Sequence, residues 1–334
     1  MRRIVGILTY TLVSFCIFPL VLGAAEAQEK KIVAKLGDVL APDHPNTKAY
    51  YYFAEKVKER TKGRVEVQVF HSGQLGQAKD LYLGLQTGSI EMAKVALAFV
   101  GEWIPEVKIF DLPYLFNDHN EVWRVFRSDV GKRFFTEIFP RQNLIGIMWV
   151  DEGKRSIYAN KPVRKPEDLK GLKIRVQPSE IHIQAMNEMG GIATPTAYGE
   201  VYMAIQQRVV DGAENAPVAL VSSKHYEVAK VYSLTEQFWL IATVFASKKW
   251  WDSLPKDVQG QITDAAQEAE RYLYETYIAE ENQAIDWLKE KGVQIITDVD
   301  KAAFEKRVQP VYDTFTKKYG KEVLEQVRAA IRAR

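Results

Sequence analysis

The sequence predicts an α/β protein of two domains, and three patterns in the chain support this. Strand-like and helix-like segments alternate through the first half, as in α/β folds with largely parallel sheets. The alternation restarts near Gly146, which predicts a second α/β unit from about residue 152. About 300 residues follow a predicted leader, enough for two hydrophobic cores.

The first half begins with a strand and a helix. Asp43-His44-Pro45-Asn46 precedes Ala49, Phe53 and Val57, which share one helical face, and Gly63 ends that helix. Residues 64–69 alternate polar and apolar, which predicts a half-buried strand. The other elements predicted in this half are a first strand at Lys31–Val39, a loop at His71–Gly76, a helix ending at Gly88 and an apolar strand at Met92–Val100.

The second half repeats the pattern and then becomes helical. Apolar residues at helical spacing predict one helix over Lys256–Lys291, about 50 Å long and able to brace both halves. No Gly/Ser/Pro linker separates the halves, so we expect the domains to be joined by crossing strands. The remaining predicted elements are strands at Leu144–Val150, Leu172–Val176 and Gln294–Ile296, a loop at Pro162–Lys170, a helix at Ser179–Met189 and terminal helices.

The first 27 residues read as a cleaved secretory signal peptide. Arg2 and Arg3 precede an apolar run at Ile4–Leu22, and Ala25-Glu26-Ala27 is a typical cleavage site. A retained membrane anchor is the alternative. Cys16 is the only cysteine, so a mature chain cut after Ala27 has no disulfide and no thiolate site.

Charge and motif content exclude several function classes. Cleavage lowers the formal net charge from +2 to +1, which gives no support for nucleic-acid binding. No later apolar run reaches membrane-spanning length. The five histidines lack metal-ligand spacing, and no nucleophile elbow, phosphate loop or dinucleotide fingerprint is present. We therefore expect no catalytic residue, metal or cofactor.

Two arginines are candidates for an anion site. Arg175 lies between Ile174 and Val176 in a short predicted strand, where a cation needs a partner if it is buried. It either offers its guanidinium to a carboxylate or is a surface arginine paired with a nearby acid. Arg155 either makes a second anion contact or is a solvated charge beside Asp151 and Glu152.

Two further residues are open to two interpretations. Asn215 ends the run Asp211–Asn215, which reads as a turn, and its amide either donates to a ligand oxygen or stabilises that turn. Tyr198 either stacks on a ligand or packs in the core.

Six segments together resemble a known family. They are similar to the periplasmic solute-binding proteins of TRAP transporters, the DctP-type extracellular solute-binding proteins of family 7, over essentially the whole mature chain. The segments are Phe53–Gly76, Gly84–Ala93, Asp111–Phe116, Asp168–Gln177, Ala193–Asn215 and Tyr226–Lys230.

The resemblance implies the two-domain periplasmic-binding-protein fold, with hinge strands, a bracing helix and a cleft that closes on a ligand. It places domain 1 at residues 28–152 plus 242–281, and domain 2 at 153–241 plus 282–334. It further implies a periplasmic, non-enzymatic monomer that works with the membrane subunits of a TRAP permease. The alternatives are a ligand-presenting subunit of a signalling sensor and an exported enzyme acting on organic acids.

The resemblance also implies roles for single residues. Arg175 would form the main salt bridge to a ligand carboxylate, with Arg155 and Asn215 assisting and Tyr198 placing its ring against the ligand. Five other residues are candidates for the cleft, namely His44, Gln77, Phe99, Gln237 and Trp239.

The sequence departs from the branch of this family that binds sialic acid. Positions where that branch carries polar groups align with Val39, Ala78, Ala96 and Phe99, all of them apolar here. We therefore expect a smaller or partly apolar acid, which leaves C4-dicarboxylates, hydroxy or keto acids, sugar acids and aromatic acids as alternatives.

Overall fold

A computed structural model describes residues 31–333 of the chain. The predicted signal peptide and its cleavage after Ala27 therefore lie outside the described residues. Within residues 31–333, none of the helices combines the length and apolar character needed to cross a membrane.

The described residues form one nine-stranded sheet. The strands are β1 (Ile32–Gly37), β2 (Val65–Phe70), β3 (Met92–Ala96), β4 (Leu144–Ala159), β5 (Lys173–Val176), β6 (Ile192–Pro195), β7 (Gly212–Asn215), β8 (Val231–Ser247) and β9 (Gln294–Ile296). Their order across the sheet is β2-β1-β3-β8-β4-β7-β5-β6, and β9 pairs with β8.

Helices cover the sheet and fill the C-terminal third. They are α1 (Pro45–Arg60), α2 (Ala78–Thr87), α3 (Leu97–Val100), α4 (His119–Arg127), α5 (Asp129–Arg133), α6 (Glu180–Glu188), α7 (Val201–Gln206), α8 (Pro217–Ser222), α9 (Lys248–Ser253), α10 (Lys256–Glu290), α11 (Lys301–Arg307), α12 (Gln309–Tyr319) and α13 (Glu322–Arg332). Short 3₁₀ turns lie at Pro105–Asp111, Phe139–Gln142, Pro166–Leu169, Tyr198–Glu200 and His225–Glu227, and a π turn lies at Phe134–Ile138.

The sheet is mixed, so the prediction of largely parallel sheets holds for its outer parts and not for its centre. At each outer part the strands run parallel, as β1 does with β2 and β3, and β5 with β6 and β7. In the centre β8 runs antiparallel to β3 and β4, and β4 runs antiparallel to β7. The two long strands β4 and β8 thus cross between the halves, as the lack of a linker predicted.

Strand β4 is longer than predicted because bulges let it bend without losing its partner β8. One register shift lies between Asp151 and Lys154, where Gly153 has φ of +72°. A Cβ at Gly153 would lie 2.3 Å from Glu281 Oε1, so glycine lets α10 approach the bend.

The predicted strand at Met92–Val100 was partly wrong, because its second part is the helix α3. An apolar run alone does not distinguish a buried strand from a buried helix.

The predicted bracing helix is confirmed as α10, which is 35 residues long. It packs on α1 and β4, and also on α8 and β9 of the second half. Its buried residues join two hydrophobic clusters: Ile262 and Ala269 lie in the cluster with Phe53, whereas Leu288 lies in the cluster with Val210. One helix therefore supports both halves of the sheet.

The domain boundaries stay a prediction. The breaks at 152/153, 241/242 and 281/282 fall inside β4, β8 and α10, none of which is interrupted there. The assignment of 282–334 to domain 2 meets one complication, because α13 packs on α4 and Ile331 O accepts a hydrogen bond of 2.9 Å from Arg124 Nε.

Candidate ligand-binding site

A cavity of about 130 Å³ lies between the outer parts of the sheet. Val39, His44 and Phe99 line it from the first half, and Arg175 and Asn215 line it from the second. Residues from distant parts of the chain, such as Val39 and Arg175, therefore meet at one cavity, as expected of a ligand site between two lobes.

Arg175 is buried and only partly satisfied. The side chain projects from β5, and only 2% of the residue is exposed. Its Nε and Nη2 donate to Thr196 O at 2.9 and 2.7 Å. Nη1 is buried without a hydrogen-bond partner among the described residues. The alternative of a surface arginine paired with an acid was thus wrong, and this guanidinium presents an unused donor at the cavity.

The electrostatic surroundings of Arg175 also favour the binding of an anion at this residue. Burial lowers the pKa of Arg175 below its ordinary value; Glu214 opposes this effect and Arg155 adds to it. A buried cation held in this way is stabilised by an anion that enters the cavity.

Arg155 is also buried, with 1% of the residue exposed, but it is fully paired. Its Nε and Nη2 contact both carboxylate oxygens of Glu214, at 2.8 Å for the Nη2–Oε1 pair, and Nη2 also donates to Glu214 O at 2.7 Å. The alternative of a solvated charge beside Asp151 and Glu152 was wrong. Burial lowers the pKa of Arg155, and Glu214 more than reverses this, so Arg155 lines the cavity as half of an ion pair.

Asn215 lies in a strand and not in a turn, which corrects the interpretation of Asp211–Asn215. The segment pairs with β4 on one side and β5 on the other, contacts that local sequence does not reveal. Asn215 Oδ1 accepts from Arg155 Nη1 and from Ala216 N, both at 2.9 Å. These two bonds fix the amide orientation and leave Nδ2 as the donor for the cavity.

Tyr198 lies at the cavity in a 3₁₀ turn. Its hydroxyl lies 2.6 Å from Ser223 Oγ, and its ring centre lies 5.9 Å from Arg175 Cζ. Burial raises the pKa of Tyr198, so the hydroxyl is neutral. The ring forms a wall beside the guanidinium, where it limits the directions from which an anion can reach Arg175.

Three of the five additional candidates line the cavity, namely His44, Gln77 and Phe99. His44 caps α1, accepting from Asn46 N at Nδ1 over 3.2 Å. Burial first, and then Lys94 and Lys48, lower the pKa of His44 well below 6.5. The ring is therefore neutral and its Nε2 carries the proton, which makes it a donor.

Gln77 connects the two halves across the cavity. Its Oε1 accepts from Gly199 N at 3.3 Å, over 122 positions of chain. A Cβ at Gly199 would lie 2.9 Å from Gln77 Nε2, so glycine permits this approach.

Gln237 and Trp239 do not line this cavity, contrary to the prediction. Successive side chains of a strand point to opposite faces, and Leu240 of β8 is the one that borders the cavity. Trp239 Nε1 instead donates to Asp151 Oδ1 at 2.7 Å beside a second cavity, and Gln237 is buried against Thr235.

Sequence reasoning missed a buried charged cluster formed by Asp38, Lys94 and Glu152, of which Lys94 and Glu152 line the cavity. Lys94 Nζ lies 2.5 Å from Glu152 Oε1 and 3.8 Å from Asp38 Oδ1. Glu152 Oε1 also accepts from Asn46 Nδ2. Lys94 occupies an apolar strand just as Arg175 does, and that pattern was the signal that could have identified it.

The pKa values of all three groups in this charged cluster are raised. Burial raises the pKa of both Asp38 and Glu152, and Lys94 opposes this. Burial lowers the pKa of Lys94, and the two carboxylates more than reverse it.

Gln177 also lines the cavity, and its buried Nε2 has no partner among residues 31–333.

The apolar part of the wall is as the sequence suggested. Val39, Ala78, Ala96 and Phe99 all border the cavity. In the part of the chain that the structure describes, no group of three or more His, Cys, Asp or Glu side chains is placed to hold a metal ion. The cavity is thus lined by the buried cation Arg175, by the charged residues Lys94 and Glu152, and by apolar side chains.

Comparison with known proteins supports this description of the fold. The family model of the bacterial extracellular solute-binding protein, family 7 (DctP), matches residues 36–318. A solute-binding protein of Chromohalobacter salexigens is 37% identical over 282 residues, 83% of each chain. The C4-dicarboxylate-binding periplasmic protein DctP of Rhodobacter capsulatus is 32% identical over 91% of this chain and 92% of its own.

Solved structures give the same result. A TRAP periplasmic solute-binding protein of Chromohalobacter salexigens with bound D-glucuronate has a TM-score of 0.85 and 34% identity, covering 89% of this chain and 99% of its own. The sugar acid-binding protein of Advenella mimigardefordensis in complex with galactonate has a TM-score of 0.87 and 30% identity, covering 91% and 98%. The predicted two-domain periplasmic-binding-protein fold is confirmed, and the chain belongs to family 7 of the bacterial extracellular solute-binding proteins, the DctP family.

Proposed function

We propose that this protein is a periplasmic receptor that captures an organic acid anion and delivers it to a TRAP-type membrane permease. The observation that carries the proposal is the buried Nη1 of Arg175, which has no hydrogen-bond partner within residues 31–333 and lies at the cavity. Relatives support it, since they include a C4-dicarboxylate-binding protein and structures with bound glucuronate and galactonate.

The carboxylate would be held at the free end of the Arg175 guanidinium. Thr196 O takes Nε and one hydrogen of Nη2, which leaves Nη1 and the second hydrogen of Nη2 as a two-pronged donor. Asn215 Nδ2 adds a neutral donor, and Arg155 is positioned by Glu214 beside it. Glu214 cancels the charge of Arg155, so Arg175 supplies the net positive charge.

Ligand release would require the cavity to open. The Gln77–Gly199 hydrogen bond spans the two lobes, while β4, β8 and α10 run between them without a break. Such an arrangement suits a hinge motion whose closed state is favoured by the ligand. The permease would then recognise the closed form.

Export, oligomeric state and lack of catalysis belong to the same proposal. The mature protein would begin at Gln28, reside in the periplasm and act as a monomer that releases its ligand unchanged. The membership in a solute-binding family supports this assignment.

A thermal-shift screen tests the proposal. Purified mature protein is heated with organic acids, neutral sugars and free cations. An acid present at ~100 times its Kd stabilises the folded state by roughly 2.7 kcal/mol, which raises Tm measurably. A clear shift with a neutral sugar and none with any acid contradicts an anion receptor.

A further inference from the structure

We propose that closure of the two predicted domains on a ligand is coupled to the uptake of one proton by Asp111, a buried carboxyl at the contact between them. Asp111 ends the 3₁₀ turn at Pro105–Asp111 in the first half, and only 4% of the residue is exposed. This inference rests on the proposed function, because it takes the halves to separate when the ligand leaves.

Asp111 contacts the second half at the start of α6. Ser179 Oγ donates to Asp111 Oδ2 at 2.8 Å. Ser179 is the N-cap residue of α6, yet its side chain makes no capping hydrogen bond to that helix. The hydroxyl is instead used across the contact between the halves, where Lys108 of the first half also pairs with Glu180 at 2.7 Å.

An ionised Asp111 would lack the cation that a buried carboxylate requires. Among residues 31–333, no lysine or arginine forms a salt bridge with Asp111, and its one basic partner is His182, whose Nε2 lies 3.8 Å from Oδ1. Within the same residues, both ring nitrogens of His182 are buried without a hydrogen-bond partner. A protonated Asp111 needs no counter-charge and lies beside a ring nitrogen that can accept, so the neutral carboxyl fits this site better.

The pKa of Asp111 agrees with this geometry. Burial raises the pKa to about 7, while Ser179, Arg155 and Lys108 oppose the rise and Glu214 adds to it. Lys108 lies on the same turn as Asp111, whereas the other three groups belong to the second half. Separation of the halves therefore removes most of the surroundings that set this pKa.

The remaining charged groups on the elements around this turn have partners of their own. Glu180 of α6 pairs with Lys318 as well as with Lys108. Glu236 of β8, a strand that also packs on the turn, pairs with Lys154 and Lys301. The helix α3 packs there too and has no titratable side chain.

His182 does not supply the proton. Burial first, and then Arg155 and Arg175, lower the pKa of His182 well below 6.5. Its ring stacks on Phe238 with centroids 4.1 Å apart. Both arginines and Phe238 belong to the same half as His182, so we expect the ring to stay neutral when the halves separate.

Opening would admit water to Asp111, and its pKa would return towards the ordinary value of 3.8. The closed state would then bind one proton more than the open state between about pH 4 and pH 7. Because protonation favours the closed state, ligand affinity would rise as the pH falls through about 7.

Calorimetry of the mature protein with D-glucuronate and D-galactonate tests this coupling. If neither binds, the monocarboxylic acid with the largest thermal shift in the wider screen replaces them. These carboxyl groups are ionised above pH 6, so they do not contribute to the change. The Kd should rise about tenfold from pH 6 to pH 8. Titrations in buffers of different ionisation enthalpy should show the uptake of about 0.75 proton at pH 6.5 and about 0.1 proton at pH 8.

The variant Asp111→Asn places a permanently neutral group at the site, and its Oδ1 can still accept from Ser179. We expect a Kd that does not depend on pH, no proton uptake, and binding at pH 8 that is about tenfold tighter than in wild type. If this variant does not fold, Ser179→Ala serves: the loss of a donor to the carboxylate should move the change in Kd to higher pH.

Glu270→Gln is the matched control. Burial raises the pKa of Glu270 to about 7 as well, but this carboxyl accepts from Trp149 N at 2.6 Å within the first half. Opening of the cleft leaves that contact in place, so the variant should keep the tenfold change in Kd between pH 6 and pH 8.

Several results overturn the inference. Equal Kd values at pH 6 and pH 8 in wild type remove the coupling while the anion receptor stands. A tenfold change that persists in folded Asp111→Asn, that does not move in Ser179→Ala, or that disappears in Glu270→Gln assigns the proton to another group. If no acid of the wider screen binds at any pH, the proposed function itself fails.

Discussion

Arg155 and Glu214 form a buried ion pair between the adjacent strands β4 and β7, with both carboxylate oxygens in contact with one guanidinium. Arg175, two strands away from β4, has no such carboxylate and is bonded to the carbonyl of Thr196 instead. The two arginines at one cavity therefore differ: Arg155 is paired with a carboxylate, whereas Nη1 of Arg175 is buried without a hydrogen-bond partner among the described residues.

The Arg155–Glu214 pair predicts a stability effect. Arg155→Ala leaves the carboxylate of Glu214 buried and unpaired, so the free energy of unfolding should fall by about 3–5 kcal/mol. The exposed Arg133→Ala is the control, and should stay within about 0.5 kcal/mol of wild type. Urea unfolding measures both. A near-wild-type free energy of unfolding for Arg155→Ala would show that the pair does not matter for folding.

The contact between Gln77 and Gly199 predicts an effect on ligand release. Gln77→Ala removes a hydrogen bond across the cavity, so Kd should rise about 2- to 10-fold, mainly through a faster off-rate. Gly199→Ala should act in the same direction, because its Cβ displaces Gln77 without removing any of that side chain's groups. Stopped-flow kinetics distinguishes the rates, and the exposed Gln207→Ala is the control. Unchanged off-rates in both variants would show that this hydrogen bond does not slow ligand release.

His119 predicts a pH-dependent contribution to stability. It lies 2.7 Å from Asp151 and 2.9 Å from Glu281, joining α4, β4 and α10. Burial would lower the pKa of His119, but hydrogen bonds to the two carboxylates raise it to about 10. Because the pKa of His119 in the folded protein exceeds its ordinary value of 6.5, the stabilisation is complete below pH 6.5 and is lost as pH rises through about 10.

The corresponding experiment compares wild type with His119→Gln across pH. The loss in unfolding free energy should be larger at pH 6 than at pH 10.5, with an upper bound of roughly 5 kcal/mol. Tyr274→Phe is the control, because the Tyr274 ring packs against His119 and the substitution leaves both carboxylates paired with the histidine. A loss that is equal at both pH values contradicts a protonated His119.

The predicted leader is tested by the mass of the exported protein. Material from the periplasm should begin at Gln28 and contain no thiol, because Cys16 is removed with the leader. Intact mass spectrometry decides this. A retained Met1–Ala27 segment, or lipid attached to Cys16, contradicts the prediction.

The sequence predicted what periodicity determines, namely the alternation of elements and the helix α10, whereas the anion role of Arg175 stays a prediction. It did not predict the burial of Arg155, because the partner Glu214 is 59 positions away and reaches it only through strand pairing. Asn215 was placed in a turn for the same reason: Asp-Gly is a local turn signal, and the flanking strands that override it are distant in sequence.

Facing direction was the other source of error. Gln237 and Trp239 were assigned to the cleft, yet their strand directs them away from it and directs Leu240 towards it. Strand bulges shift the register between β4 and β8, so the face of a side chain cannot be counted from sequence across them. Lys94 was not among the predicted site residues, although its pattern, a cation in an apolar strand, was visible in the sequence.

The most direct test of the account is calorimetry of Arg175→Ala and Arg175→Lys with the acid that gives the largest thermal shift. Loss of the buried cation should cost on the order of 2–5 kcal/mol of binding in Arg175→Ala, and lysine should not restore it, because it lacks the planar fork. Circular dichroism should show both variants folded. Near-wild-type affinity in folded Arg175→Ala would contradict the central claim that this arginine holds the ligand carboxylate.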